Sequence, residues 1–236
     1  MQRLTHAERK AQTRAELLTS ARTVFLERGF HVATLDEIAS AAGYSKGAVY
    51  SNFESKEALF LVILAEHFQQ RLAVFVNATA TAATVEQGMR MVARGLAAAD
   101  RLEPHWTALL LEFWSHASRD EALRQRVAVS REQYISAIAR SLEQLVAGHG
   151  VHFAIPTSDL VRGGVALVRG MSLERRLQPG SIPDALFEQM VMAYLAGFTR
   201  RTEQTLEIEG GNHERKTRST RVSGRGGRTR RRVSGA

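Results

Sequence analysis

Side chains that could ligate a metal or shuttle protons are dispersed in this sequence. The eight histidines (His6, His31, His67, His105, His116, His149, His152, His213) are scattered over 236 residues, and there is no cysteine. Thiolate zinc sites, disulfide scaffolds and cysteine nucleophiles are thereby excluded together. Glu112 and His116 lie four apart, a spacing suited to metal ligation on one helix face, but no third ligand is evident and a solvated pair accounts for them. There is no Gly-rich phosphate loop, GxSxG elbow or HExxH helix. Neither catalysis, a cofactor nor a bound metal is expected.

The spacing does support recognition of a nucleic acid. Residues 35–54, LDEIASAAGYSKGAVYSNFE, meet three requirements of two short helices that cross closely and expose the second to a groove. Ala39, the fifth residue, is small where the helices approach. Gly43, the ninth, allows the positive φ that the chain needs to leave the first helix. Val49, the fifteenth, is apolar where the second helix packs back. Thr34 with Glu37 forms a capping box for the first helix, and Ser45 caps the second. The second helix presents a face of little bulk: Lys46, Gly47, Ala48, Ser51 and Asn52. Glycine in a helix costs about 1 kcal/mol, yet in a major groove it lets backbone approach base edges or phosphate, where free N–H groups favour an anion. Tyr50 and Asn52 can donate to phosphates. Lys56 opposes the dipole at the start of the following helix, a penalty that an adjacent phosphate would reverse.

Charge alone carries none of this. The formal net charge is +8, but nine of the 32 Lys and Arg and one of the 24 acids fall in residues 212–236, so the rest of the chain holds 23 of each. The body is neutral and the basicity belongs to the C-terminal tail.

The elements that must position these residues are helices. Only four prolines occur, and apolar residues recur at three- and four-residue spacing, which gives an all-α fold class. Helices are expected over 7–28, with Leu17, Leu18, Ala21, Val24 and Phe25 on one face and Gly29 as its stop, then over 35–42, 46–52 and 55–80, the last ~37 Å long. Further helices are expected over 84–101, 104–117, 120–147, 158–177 and 184–202, with connections at 148–156 and 178–183. The reading is a flexible arm (1–12), a three-helix DNA-binding domain (13–60, motif 35–54), a larger helical effector-binding and dimerisation domain (61–207), and a disordered Arg/Gly/Ser-rich tail (208–236). No run approaches the roughly 18 apolar residues that span a bilayer, so no membrane partner is expected and the cytoplasm is the expected compartment.

The stretch 13–64 resembles the TetR-family DNA-binding domain. The resemblance is carried by Ala21-Arg22, Phe25, Glu27-Arg28-Gly29-Phe30, Thr34, Ile38-Ala39, Ala42-Gly43, Ser45-Lys46-Gly47, Val49-Tyr50, Phe53, Ser55-Lys56-Glu57 and Leu59; Asn52 departs from it, standing where the family often has histidine. The resemblance implies that Thr34, Lys46, Gly47, Tyr50 and Lys56 contact double-stranded operator DNA, with Tyr44, Ser45, Ala48, Ser51 and Asn52 beside them. It also implies a homodimer formed by the last two helices, for which Gly164, Leu167, Met171, Phe187, Met190, Val191, Tyr194 and Phe198 are the candidates, Gly163, Ala166 and Gly170 allowing close approach. Trp106, Leu110, Phe113, Trp114, Tyr134 and Ile138 could line a cavity for a small-molecule effector, although core packing is the simpler account of each one taken singly. The function expected is a ligand-responsive repressor at a pseudo-palindromic operator. A TetR-like activator, or a nonspecific nucleic-acid binder driven by the tail, is the alternative.

Overall fold

Short polar side chains decide where the helices begin. In the computed structural model, which describes residues 5–201, Thr5 accepts from Glu8 N at 3.2 Å while Glu8 accepts from Thr5 N at 2.7 Å, a closed capping box that starts α1 (His6–Val32). The helix expected from residue 7 thus begins at His6 and takes in residues 6–12, which the domain division assigns to an arm. Thr34 and Glu37 repeat the box at α2 (Leu35–Ala41), and Ser45 and Ser55 cap α3 (Lys46–Asn52) and α4 (Lys56–Thr81). α5 (Val85–Leu102), α6 (Trp106–Ala117), α7 (Glu121–Val146), α8 (Thr157–Leu177) and α9 (Asp184–Phe198) complete the helices among the described residues.

The last helix is shorter than its apolar pattern suggests. Rather than continuing to 202 it stops at Phe198, and β2 (Thr199–Arg201) pairs antiparallel with β1 (Val151–Phe153) in the segment expected as a plain connection. Ala154 N donating to Phe198 O at 2.8 Å extends the pairing. The tail 208–236, with 1–4 and 202–207, lies outside the described residues.

Two apolar clusters organise the helices. One gathers Leu17, Phe25, Phe30, Ile38, Val49, Phe60 and Phe113 from α1–α4 and α6. The other gathers Phe75, Val92, Ile138, Leu142, Leu160, Phe187 and Leu195 from α4, α5 and α7–α9. α4 passes through both; its 26 residues are apolar enough to cross a bilayer by length and composition, but it packs against α5 and α7 instead.

The edge of the first cluster is polar around Phe30, with contacts that no local pattern announces. Gly29 has φ +79° and kinks α1, a conformation that favours glycine, and a Cβ there would lie 2.6 Å from Glu112 Oε2 and displace that carboxylate. That carboxylate accepts from Phe30 N at 2.9 Å. His116 pairs with Glu57 at 3.1 Å. Glu112 and His116, expected as a solvated pair, instead tie α6 to α1 and α4. Lys56 Nζ donates to the carbonyls of Phe30 (2.8 Å), Ala33 (3.0 Å) and His31 (3.3 Å) and lies over the Phe30 ring. It caps the end of α1, where cations are favoured, and burial lowers its pKa.

Candidate functional site

α2 and α3 are too short to hold themselves, and their buried sides fix them. Ile38 and Val49 are fully buried and Ala39 nearly so; Gly43, at φ +73°, turns the chain between the helices. Tyr44 fills the turn from within, its hydroxyl donating to Glu16 of α1, so this residue, expected at the DNA, braces the motif. Asn52 also turns inward: its Nδ2 donates to Ala48 O at 2.8 Å, its own carbonyl accepts from Arg14 at 2.8 Å, and its Oδ1 is buried without a partner among the described residues. Lys56 is occupied by the α1 carbonyls, so its place in the sequence is explained without a phosphate.

What remains outside is a compact face. Thr34, Ser45, Lys46, Gly47, Tyr50 and Ser51 are exposed and Ala48 is half-buried. Lys46 Nζ is 2.9 Å from Asp36 of α2, and that hydrogen bond raises its pKa. Tyr50 is 51% exposed, an unusual position for an aromatic ring. A Cβ on Gly47 would meet nothing nearer than Ser45 Oγ at 3.8 Å. Packing within the chain therefore gives no reason for glycine here, whereas close approach to an external surface does.

The second region holds a cavity of about 110 Å³ bounded by α4, α5, α6, α7, α8 and α9. Of the six residues expected to line it, Trp106, Leu110, Tyr134 and Ile138 do. Phe113 does not: it is fully buried in the other cluster, its ring 4.3 Å from Phe60 and 4.9 Å from Phe30. Trp114 faces arginines, with the Arg169 and Arg131 guanidinium carbons 4.0 and 5.3 Å from its ring.

The interface candidates also divide. Gly164, Leu167, Val191 and Tyr194 border the cavity, and Met171 and Phe187 are buried within the chain itself. The glycines serve the same chain, since Cβ atoms on Gly163 and Gly164 would meet the Tyr194 ring, whose hydroxyl donates to Leu160 O at 2.8 Å. Phe198 is half-buried beside that ring. Met190 alone of the eight is exposed, at 43%. With Leu186, Ala193 and Gly197 it forms an exposed apolar stripe on α9, and α8 exposes Ala166 and Gly170.

Several cavity residues were not anticipated. His67 and Arg71, one turn apart on α4, border it, as does Arg169 of α8, next to Val168. The His67 ring stacks on Trp106 at 3.9 Å, and its Nδ1 is 3.3 Å from Glu103 Oε2. Burial drives its pKa down to about 4. Glu103 in turn pairs with Arg22 of α1 at 3.1 Å, so a polar chain runs from the cavity wall to the helix that carries the helix-turn-helix.

A buried two-helix motif with an exposed, low-bulk second helix, on a helical body with an internal cavity, defines a helix-turn-helix transcriptional regulator. Profiles of known families agree: that of bacterial regulatory proteins of the tetR family matches residues 17–63, and that of the C-terminal region of BetI-type transcriptional repressors matches residues 68–200. The HTH-type transcriptional repressor Rv1474c of Mycobacterium tuberculosis is 29% identical over 75% of this chain and 88% of its own. The HTH-type transcriptional activator FasR of Mycolicibacterium smegmatis is 38% identical over 34% of this chain and 36% of its own. The regulator FadR of Bacillus subtilis, solved with stearoyl-CoA, shares the fold with a TM-score of 0.64 at 15% identity, over 78% of this chain and 98% of that one. The chain belongs to the TetR family and is a DNA-binding transcriptional regulator.

Proposed function

We propose that the protein is a homodimeric, ligand-responsive repressor that binds a pseudo-palindromic operator and leaves it when a small molecule fills the α4–α9 cavity. The observation that carries the DNA contact is Gly47: a glycine in a helix with open space around it, flanked by exposed Lys46, Tyr50 and Ser51. Thr34, Ser45, Lys46, Gly47, Ala48, Tyr50 and Ser51 form the proposed DNA face. Arg14 and the α1 carbonyls hold Asn52 and Lys56 in positioning roles. The apolar stripe Leu186, Met190, Ala193, Gly197 supports dimerisation, because exposed residues at this spacing have no partner within the described chain. Two-fold symmetry then sets half-sites about one helical turn, roughly 34 Å, apart. The cytoplasm is the compartment this function requires.

Release follows from linkage. A ligand touching His67 and Trp106 favours one arrangement of the Glu103–Arg22 contact, and so one placement of α1–α3. Whatever factor the ligand takes from DNA affinity, DNA takes from ligand affinity. The test is fluorescence-anisotropy titration of a selected DNA fragment with the native chain and with Lys46→Ala and Tyr50→Ala. Two chains should bind per fragment, and each variant should weaken binding about tenfold for a loss of roughly 1.4 kcal/mol. Equal affinity of all three proteins for the fragment, or for the fragment and random DNA, would refute the assignment of this face.

A further inference from the structure

The cavity is walled mainly by carbon, with Phe75, Leu142, Leu160, Val165 and Val191 among its lining, and Tyr134, Arg169 and Arg71 are among the polar residues that border it. Arg71 is occupied, donating to Ala99 O at 3.2 Å and to His67 Nε2 at 3.4 Å. Asp100, also on the wall, is paired with Arg175 at 3.3 Å. Arg169 differs. Of the four arginines on α8, Arg162 pairs with Glu132, Arg175 with Asp100 and Asp184, and Arg176 contacts His105. Arg169, which lines the cavity, forms no hydrogen bond or ion pair among the described residues, and a second cation, Arg131, shares the Trp114 ring with it.

The Trp114 ring covers one face of the Arg169 guanidinium, but stacking leaves the N–H donors on its edge unused. Burial, with Arg131, pulls its pKa down to about 9, so it is still charged at neutral pH. A partly buried cation beside a second one is unfavourable until an anion arrives. Tyr134, stacked on Phe68 at 4.7 Å, brings a hydroxyl that has no hydrogen-bond partner among the described residues.

On the reading of this cavity as an effector site, we infer that its ligand is a small apolar acid whose carboxylate accepts from the Arg169 guanidinium and the Tyr134 hydroxyl while its body lies against the carbon wall. The volume of about 110 Å³ compares with the roughly 150 Å³ cavity that holds benzene, so the body is one ring or a short alkyl chain. A neutral isostere leaves Arg169 unpaired, and a cation is repelled by it.

Intrinsic fluorescence reads the site directly, since Trp106 lines the cavity and Trp114 stacks on Arg169. The full chain, free and bound to a selected DNA fragment, is titrated with phenylacetate and octanoate, with phenylacetamide and octanol as neutral isosteres, and with octyltrimethylammonium. The acids should bind roughly ten- to hundredfold tighter than their isosteres, the range for a charge-assisted hydrogen-bonded pair. Arg169→Met should abolish that preference and Arg169→Lys retain part of it, with circular dichroism confirming the fold. If Arg169→Met does not fold, the acid-against-isostere comparison on the native chain decides alone. Isosteres that bind as tightly as the acids, a preference that survives Arg169→Met, or no binding by either acid at millimolar concentration would overturn the inference. Acids that bind through Arg169 without releasing DNA would uphold it and refute the ligand-responsive reading. A neutral or cationic probe that releases DNA where the acids do not bind would do the reverse.

Discussion

Gly47→Ala should move stability and DNA affinity in opposite directions. An added Cβ meets only Ser45 Oγ, at 3.8 Å, an ordinary van der Waals distance. Nothing inside the chain therefore resists it, and replacing helical glycine by alanine should stabilise the fold by up to about 1 kcal/mol. For a chain of this size that is a rise of about 1–4 °C in Tm. At a groove the same methyl enters a close contact, and overpacking of that kind costs about 1–3 kcal/mol, or roughly five- to 150-fold in Kd for each half-site. Thermal melting by circular dichroism and anisotropy titration of a selected fragment at about 150 mM salt, where exposed charges are screened beyond about 8 Å, measure both quantities on one preparation. A variant that is more stable and binds DNA as well as the native chain would show that residue 47 makes no close approach to DNA. One that is both weaker in binding and less stable would show that glycine serves the fold instead.

Lys56→Met should cost about 1–3 kcal/mol of stability by leaving the Phe30, His31 and Ala33 carbonyls short of a donor. It should leave the salt dependence of DNA binding unchanged; a drop of about one in the log–log slope would restore Lys56 to the phosphates. His67 is held neutral by burial, its pKa pulled from 6.5 to about 4, so the unfolded chain binds the extra proton between those values. Its contribution is complete above pH 6.5 and is lost as pH falls toward 4, up to about 3 kcal/mol. Urea unfolding at stepped pH should show this slope in the native chain and a flatter one in His67→Phe. Removing residues 212–236, which carry nine Lys and Arg, should leave fragment-specific binding intact while making it less salt-dependent; loss of specificity in that truncation, measured by competition with random DNA, would favour the tail-driven reading.

Local chemistry made the DNA-binding end legible. Thr34 with Glu37, Ser45 and Ser55 act within three residues of themselves, and Gly43 answers to its own backbone, so α2, α3 and the start of α4 could be read directly. Side chains that act across the chain could not. Lys56 reaches a helix end 23 to 26 residues away and Glu112 reaches Phe30 across 82, and no periodicity encodes either. α6 is apolar nearly all round, so Trp106 and Leu110 could not be separated from Phe113 by pattern when one side faces the cavity and the other the Phe30–Phe60 cluster. On α9 the same ambiguity merged two stripes: Phe187 and Val191 fill the chain's own core, and Leu186 and Met190 lie outside. The hairpin went unseen because each strand has only three residues.

Selection of genomic DNA fragments by the purified 236-residue chain at about 150 mM salt, where nonspecific phosphate contacts are weakened, distinguishes operator recognition from nonspecific binding. The retained fragments should share an inverted repeat with half-sites about one helical turn apart. Fragments retained without any common sequence would contradict operator recognition.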